Sequence, residues 1–158
     1  TETKHPLNSA KIAELSLDPC KIIIGEDFAD NAELKEILNN NHCALVFPSD
    51  KNIVATSHFK KFNKFIFIDG TWKKAKKILY MNPKLADLPR LEINANIKSK
   101  YKIRKVPKDG YLSTLEAICY TIHQSENKNI FDTVETLEFI QQKQIEKMGA
   151  DTFKKNYN

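Results

Sequence analysis

Little in this sequence announces a function outright. Its three cysteines, Cys20, Cys43 and Cys119, stand far apart and never as C-x-x-C, so neither a disulfide framework nor a thiolate zinc site is encoded. The four histidines, His5, His42, His58 and His123, lack metal-ligand spacing, and no metal is expected. Four glycines and six prolines, none clustered, exclude fibrous, low-complexity and linker-rich chains. No apolar run nears the roughly 20 residues that a membrane-spanning helix needs. Residues 1–11 lack the apolar centre of a secretion signal. The expectation is a soluble cytoplasmic protein with no membrane partner, and a monomer.

What is present is a chain of 158 residues, 41% of them hydrophobic, which is enough for one domain with its own core. The net charge of +5 is unevenly placed. Residues 51–108 hold 16 of the 25 Lys and Arg against three acids, Asp69, Asp87 and Glu92, a net of +13 that leaves −8 for the remainder. Solubility alone gives no reason for such separation, whereas an enzyme acting on a polyphosphate gathers cations where that substrate lies. The central window reads as a nucleic-acid face.

Hydrophobic patterning places the elements. Residues 20–24 (CKIII), 44–47 (ALVF) and 64–68 (KFIFI) read as short buried strands. Residues 31–40 have leucine and isoleucine at helical spacing, and a further helix is expected over 71–80. Residues 85–108 read as irregular, broken by Pro89 and Pro107. Within them Lys98, Lys100, Lys102 and Arg104 alternate with apolar or small residues, so an extended strand would carry four cations on one face. Residues 112–123 and 130–148 predict two covering helices, the second with Phe131, Val134, Leu137, Ile140, Ile145 and Met148 inward. Strands alternating with helices predict an α/β layer fold with a mostly parallel sheet flanked by helices.

The informative junction is Phe65-Ile66-Phe67-Ile68-Asp69-Gly70-Thr71-Trp72. A carboxylate at the carboxyl end of a buried parallel strand, next to a helix N-terminus, stands where α/β proteins form their ligand crevices. Gly70 permits close approach and Trp72 offers a flat apolar face. On its own, Asp69 would more often be a helix cap and Trp72 core. Leu112-Ser113-Thr114-Leu115-Glu116-Ala117 is likewise a capping box when read alone, yet a helix start with two hydroxyls and free amides also receives carboxylates.

Taken together, these elements resemble the DTW-domain family, the tRNA-uridine aminocarboxypropyltransferases. That family is distantly similar to ribosomal-RNA aminocarboxypropyltransferases and, through them, to knotted methyltransferases. The resemblance rests on ordered elements: Asn8-Ser9-Ala10-Lys11 with Leu15-Ser16-Leu17, Phe47-Pro48-Ser49, Asp69-Gly70-Thr71-Trp72, Tyr101-x-x-Arg104-Lys105-x-Pro107 and Leu112-Ser113-Thr114-Leu115-Glu116-Ala117. Ser9 stands where the family usually has Thr, and the cysteine cluster at the start of many members does not appear. The resemblance implies one DTW domain over residues 1–158 with a knotted, methyltransferase-like fold. Its start, 1–11, would be partly extended, and 130–158 would form a C-terminal helix and tail.

The resemblance also implies an activity: transfer of the 3-amino-3-carboxypropyl group of S-adenosylmethionine to N3 of a tRNA uridine, releasing 5′-methylthioadenosine. It places the cofactor among Ser9, Pro48, Ser49, Thr71, Trp72, Leu88, Ser113, Thr114 and Glu116. Asp69 would act on uridine N3–H or steady the sulfonium. Ser113, Thr114 and nearby amides would receive the cofactor's carboxylate or ribose hydroxyls, and Glu116 is as well placed to cap the helix as to bind the amino group. Lys73, Lys74, Lys76, Lys77, Lys98, Lys100, Lys102, Arg104 and Lys105 would hold RNA phosphates. Two alternatives are an S-adenosylmethionine-dependent RNA methyltransferase and a noncatalytic RNA-binding module.

Overall fold

In a computed structural model, residues 9–39, 42–48, 53–54, 56–93 and 112–128 are described, with six helical positions between 135 and 146. Four strands form one sheet: β1 (Cys43–Val46), β2 (Ile53–Val54), β3 (Lys64–Ile66) and β4 (Arg90–Leu91), in the order β2-β4-β1-β3. Every pairing is parallel, with Ala44 opposite Phe65, Val46 opposite Leu91 and Val54 opposite Leu91. Because β1 lies between β4 and β3, all four of its residues are buried, as the unbroken apolar run CALV requires. The α/β class with a parallel sheet flanked by helices is as the sequence predicts.

The helices α1 (Ser9–Ser16), α2 (Ala32–Leu38), α3 (Trp72–Met81), α4 (Pro83–Ala86) and α5 (Thr114–Glu126) accompany the strands. A 3-10 helix occupies Thr56–Lys61. Three of the predicted helices start at a side-chain cap. Asn31 Oδ1 accepts from Leu34 N at 2.7 Å, Thr71 Oγ1 from Lys74 N at 3.3 Å and Ser113 Oγ from Glu116 N at 3.3 Å. Helix α4 instead has Pro83 at its first turn, where a missing N–H costs nothing.

Two apolar layers enclose the sheet. On one face α3 and α4 bury Ile78 and Leu85 with Leu34, and Ile66, Ile68, Leu79 and Leu88 pack against them. On the other, Phe59 from the 3-10 helix fills the space over Ala44, Val46 and Leu91. Helices α1 and α5 form a third cluster of Ile12, Ala13, Leu115, Ile118 and Cys119, against which Phe67 packs. Phe67 also packs against the Phe59 cluster, so the residues leaving β3 run between two cores before reaching Asp69.

The expected strand at 20–24 does not form. Cys20 packs against the α1–α5 cluster and Ile23 against the α3–α4 cluster, so the apolar residues bridge two cores instead of lining one strand face, and Ile24 is exposed. The expected strand at 64–68 pairs with β1 as far as Ile66, and Phe67 to Asp69 continue without strand pairing. The stretch beginning at 85 holds α4 and β4 before Ile93, where an irregular segment was expected. The basic alternation at 97–104 and the inward residues named for 130–148 lie outside the described residues. So do residues 94–111.

Asn82, buried between α3 and α4, ties the loop before α2 to this scaffold. Its Oδ1 accepts from Phe28 N at 2.8 Å, and its Nδ2 donates to Glu26 O and Ile78 O, both at 2.7 Å. Asn82→Ala would strip a buried amide and a carbonyl of partners, each costing about 1–3 kcal/mol. Urea denaturation should show a loss on the order of 2–3 kcal/mol at unchanged m-value. A loss below about 0.5 kcal/mol, the scatter of surface substitutions, would mean that water replaces the clamp.

Candidate active site

Parallel strands deliver their exits to one edge of a sheet, and here those exits carry the chemistry. Strand β1 leaves through Phe47 and Pro48, both half-buried. Strand β3 continues through Phe67 and Ile68 to Asp69, and Gly70 then takes φ +153°, a backbone setting that side chains seldom adopt. A Cβ there would also meet Lys74 Cδ at 3.3 Å, so glycine lets the chain turn sharply into α3.

Asp69 is joined across 45 residues of sequence to the start of α5. The Thr114 hydroxyl donates to Asp69 Oδ1 at 2.6 Å in a partly buried setting. Asp69 has no other hydrogen-bond partner among the described residues. The carboxylate also lies just ahead of α3 and at the first turn of α5, where helix N-termini favour negative charge.

Trp72, three residues after Asp69, packs against Phe47. The rings of Phe47 and Trp72 are tilted by 54° with centroids 5.4 Å apart, and the Arg90 guanidinium lies 5.6 Å from the Phe47 centroid on the ring's other contact. Arg90 Nη2 donates to Ala86 O at 3.3 Å, and burial lowers its pKa from the ordinary arginine value. Neither Phe47 nor Arg90 was singled out as a site residue from sequence. Phe47 read as the end of a strand and the start of the Phe47-Pro48-Ser49 element, and Arg90 fell within the stretch expected to be irregular.

The remaining predicted residues divide clearly. Ser113 and Glu116, both buried, form a reciprocal capping box in which Ser113 N donates to Glu116 Oε2 at 2.8 Å. Thr71 is exposed and caps α3. Leu88 packs into the α3–α4 cluster, and Ser9 is the first residue of α1. Ser49 lies outside the described residues, as do Lys98, Lys100, Lys102, Arg104 and Lys105. Along α3, Lys73, Lys76 and Lys77 are exposed and Lys74 is half-buried. Glu26 pairs with Lys77 at 2.7 Å and with Lys74 at 3.7 Å, and the Lys77 contact lowers its pKa.

Cys119, one turn along α5 from Glu116, is fully buried. Burial and the charge of Glu116 push its thiol up to about 11, which keeps it from nucleophilic work at neutral pH. Among the described residues no group of three or more His, Cys, Asp or Glu could hold a metal, and no helix is long and apolar enough to cross a membrane.

A family model of the DTW domain matches residues 1–148. Over 133 residues the chain is 33% identical to tRNA-uridine aminocarboxypropyltransferase 2 of Drosophila melanogaster, covering 78% of this chain and 53% of that protein. It is 27% identical over 144 residues to the Macaca fascicularis protein of the same name, covering 80% and 47%. The Mus musculus protein of that name is also 27% identical, over 145 residues. The chain thus spans about half the length of the curated relatives it matches. No solved structure matches it.

Proposed function

Because this chain belongs to the DTW domain family, we propose that it transfers the 3-amino-3-carboxypropyl group of S-adenosylmethionine to N3 of a uridine in tRNA. The observation that carries the reading is the 2.6 Å hydrogen bond from Thr114 to Asp69, which joins the two most distinctive motifs at the carboxyl edge of the sheet. The names of the relatives support a tRNA-uridine substrate.

The residues present suit the cofactor: an aromatic pair for apolar and cation contacts, a carboxylate next to it, and a hydroxyl-bearing helix start. Phe47, Pro48 and Trp72 would hold its apolar part, and Ser113 and Thr114 its ribose hydroxyls. When bound, S-adenosylmethionine supplies a carbon activated by its sulfonium, and transfer releases 5′-methylthioadenosine. Thr114 fixes the Asp69 carboxylate through Oδ1, which directs Oδ2 at the substrate. Asp69 Oδ2 then takes the proton from uridine N3 as the N–C bond forms. The Phe47–Trp72 pair keeps water from this exchange.

Lysines 73, 74, 76 and 77 of α3 would guide the tRNA, with Lys98, Lys100, Lys102, Arg104 and Lys105 extending the cationic surface. A uridine must leave its stack to reach Asp69, at a cost of a few kcal/mol, which favours loop positions. Incubating the protein with S-adenosylmethionine and unmodified tRNA should yield a uridine carrying the aminocarboxypropyl group, detected by mass spectrometry, with 5′-methylthioadenosine as co-product. Release of S-adenosylhomocysteine instead would make it a methyltransferase. RNA binding with no cofactor binding would leave only a noncatalytic module.

A further inference from the structure

We propose that Arg90 is a cofactor-binding residue, gripping the carboxylate of the amino-acid end of S-adenosylmethionine from across the Phe47 ring. This inference rests on the reading of the function above and adds a residue to it.

Among the described residues Arg90 has no anionic partner. Its guanidinium has two contacts among the described residues, the Ala86 carbonyl and the Phe47 ring, and its Nε is buried with no hydrogen-bond partner. Arg90 is half-buried, and an arginine fork with a buried, unused Nε suits a planar carboxylate held by two parallel bonds. Its lowered pKa has desolvation as its one cause, in keeping with an environment that supplies no counter-charge.

The other place for that carboxylate is the start of α5, where two carboxylates already stand. Glu116 Oε2 occupies the Ser113 amide at 2.8 Å, and Asp69 Oδ1 occupies the Thr114 hydroxyl at 2.6 Å. A third carboxylate there would meet two others, whereas at Arg90 it would meet a cation with no anion among the described residues. Strand pairing explains the location. Arg90 lies opposite Leu45 of β1, two residues before Phe47, and Leu91 enters the core on the opposite face, so the Arg90 side chain stays on the side that Phe47 shares with Trp72. The arrangement separates charge along the cofactor, with Asp69 at the reacting end and Arg90 at the amino-acid end.

Calorimetric binding of S-adenosylmethionine and of 5′-methylthioadenosine, which lacks the amino-acid end, tests this without any turnover. Arg90→Gln should weaken S-adenosylmethionine by about 10- to 100-fold, the effect of losing hydrogen bonds to a charged group, and leave 5′-methylthioadenosine unchanged. Arg90→Lys keeps the charge and stem, so it should fold as the wild type does and fall between the two in affinity. If the variants bind both molecules as the wild type does, or lose both equally, Arg90 does not hold the carboxylate. Unchanged cofactor affinity with weaker tRNA binding and a shallower salt dependence would assign Arg90 to an RNA phosphate and overturn the proposal. A wild-type protein that binds neither small molecule would instead sink the functional reading itself.

Discussion

Asp69→Asn is expected to lower kcat for uridine modification by about 100- to 10,000-fold, the range that a positioned general base contributes. The substitution keeps the size of the side chain and an oxygen that can accept from Thr114 Oγ1, so the contact between the two motifs survives. What it removes is the ability to take a proton. S-adenosylmethionine affinity should therefore stay close to that of the wild type, and the melting temperature should hardly move, because Asp69 is only partly buried and has no ion-pair partner among the described residues. Single-turnover assays with saturating cofactor and tRNA separate these quantities. The competing role, steadying the sulfonium, makes a different forecast: loss of the charge would weaken S-adenosylmethionine itself while sparing 5′-methylthioadenosine, which carries no positive sulfur. Near-normal kcat in Asp69→Asn would remove Asp69 from proton transfer altogether.

How much of this was legible in the sequence depends on whether the signal was local. The strands at Cys43–Val46 and Lys64–Ile66 and the helices at Trp72–Met81 and Thr114–Glu126 were readable because apolar runs, helical spacing and capping residues all lie within a few positions of one another. Strands β2 and β4 were not, since each is two residues long and exists only because β4 is inserted between β2 and β1. The run at 20–24 misled for a related reason. Its side chains serve two cores, and periodicity cannot say which partner a residue will find. Helix α1 was read only as a motif, though Ile12 and Ala13 make it half of the cluster that seats α5. Within the site, the chemical identities of Asp69, Trp72 and Thr114 came from motifs, while the 2.6 Å contact and the Arg90–Phe47–Trp72 series depend on tertiary packing.

Phe59→Ala should be the costliest change to the scaffold, because Phe59 is the largest side chain in the described core with no exposed surface. It covers Ala44, Val46 and Leu91, two of them small, and Phe65, with its ring centroid 6.2 Å away, cannot swing far enough to refill the space. Truncating a buried phenylalanine costs about 3–5 kcal/mol, against a total stability on the order of 5–15 kcal/mol for a domain. A fall in melting temperature on the order of 10 °C follows for a chain of this size. Phe59→Leu, which keeps most of the volume, should recover most of that loss. The functional consequence is specific. Val46 precedes Phe47 and Phe67 precedes Asp69 by two residues, so the cluster that Phe59 completes holds both strand exits that meet at the crevice. At low temperature, where the variant is still folded, a rigid scaffold predicts nearly unchanged cofactor affinity. Affinity lost in step with stability across Phe59→Leu and Phe59→Ala would show instead that the crevice is shaped by the opposite face of the sheet.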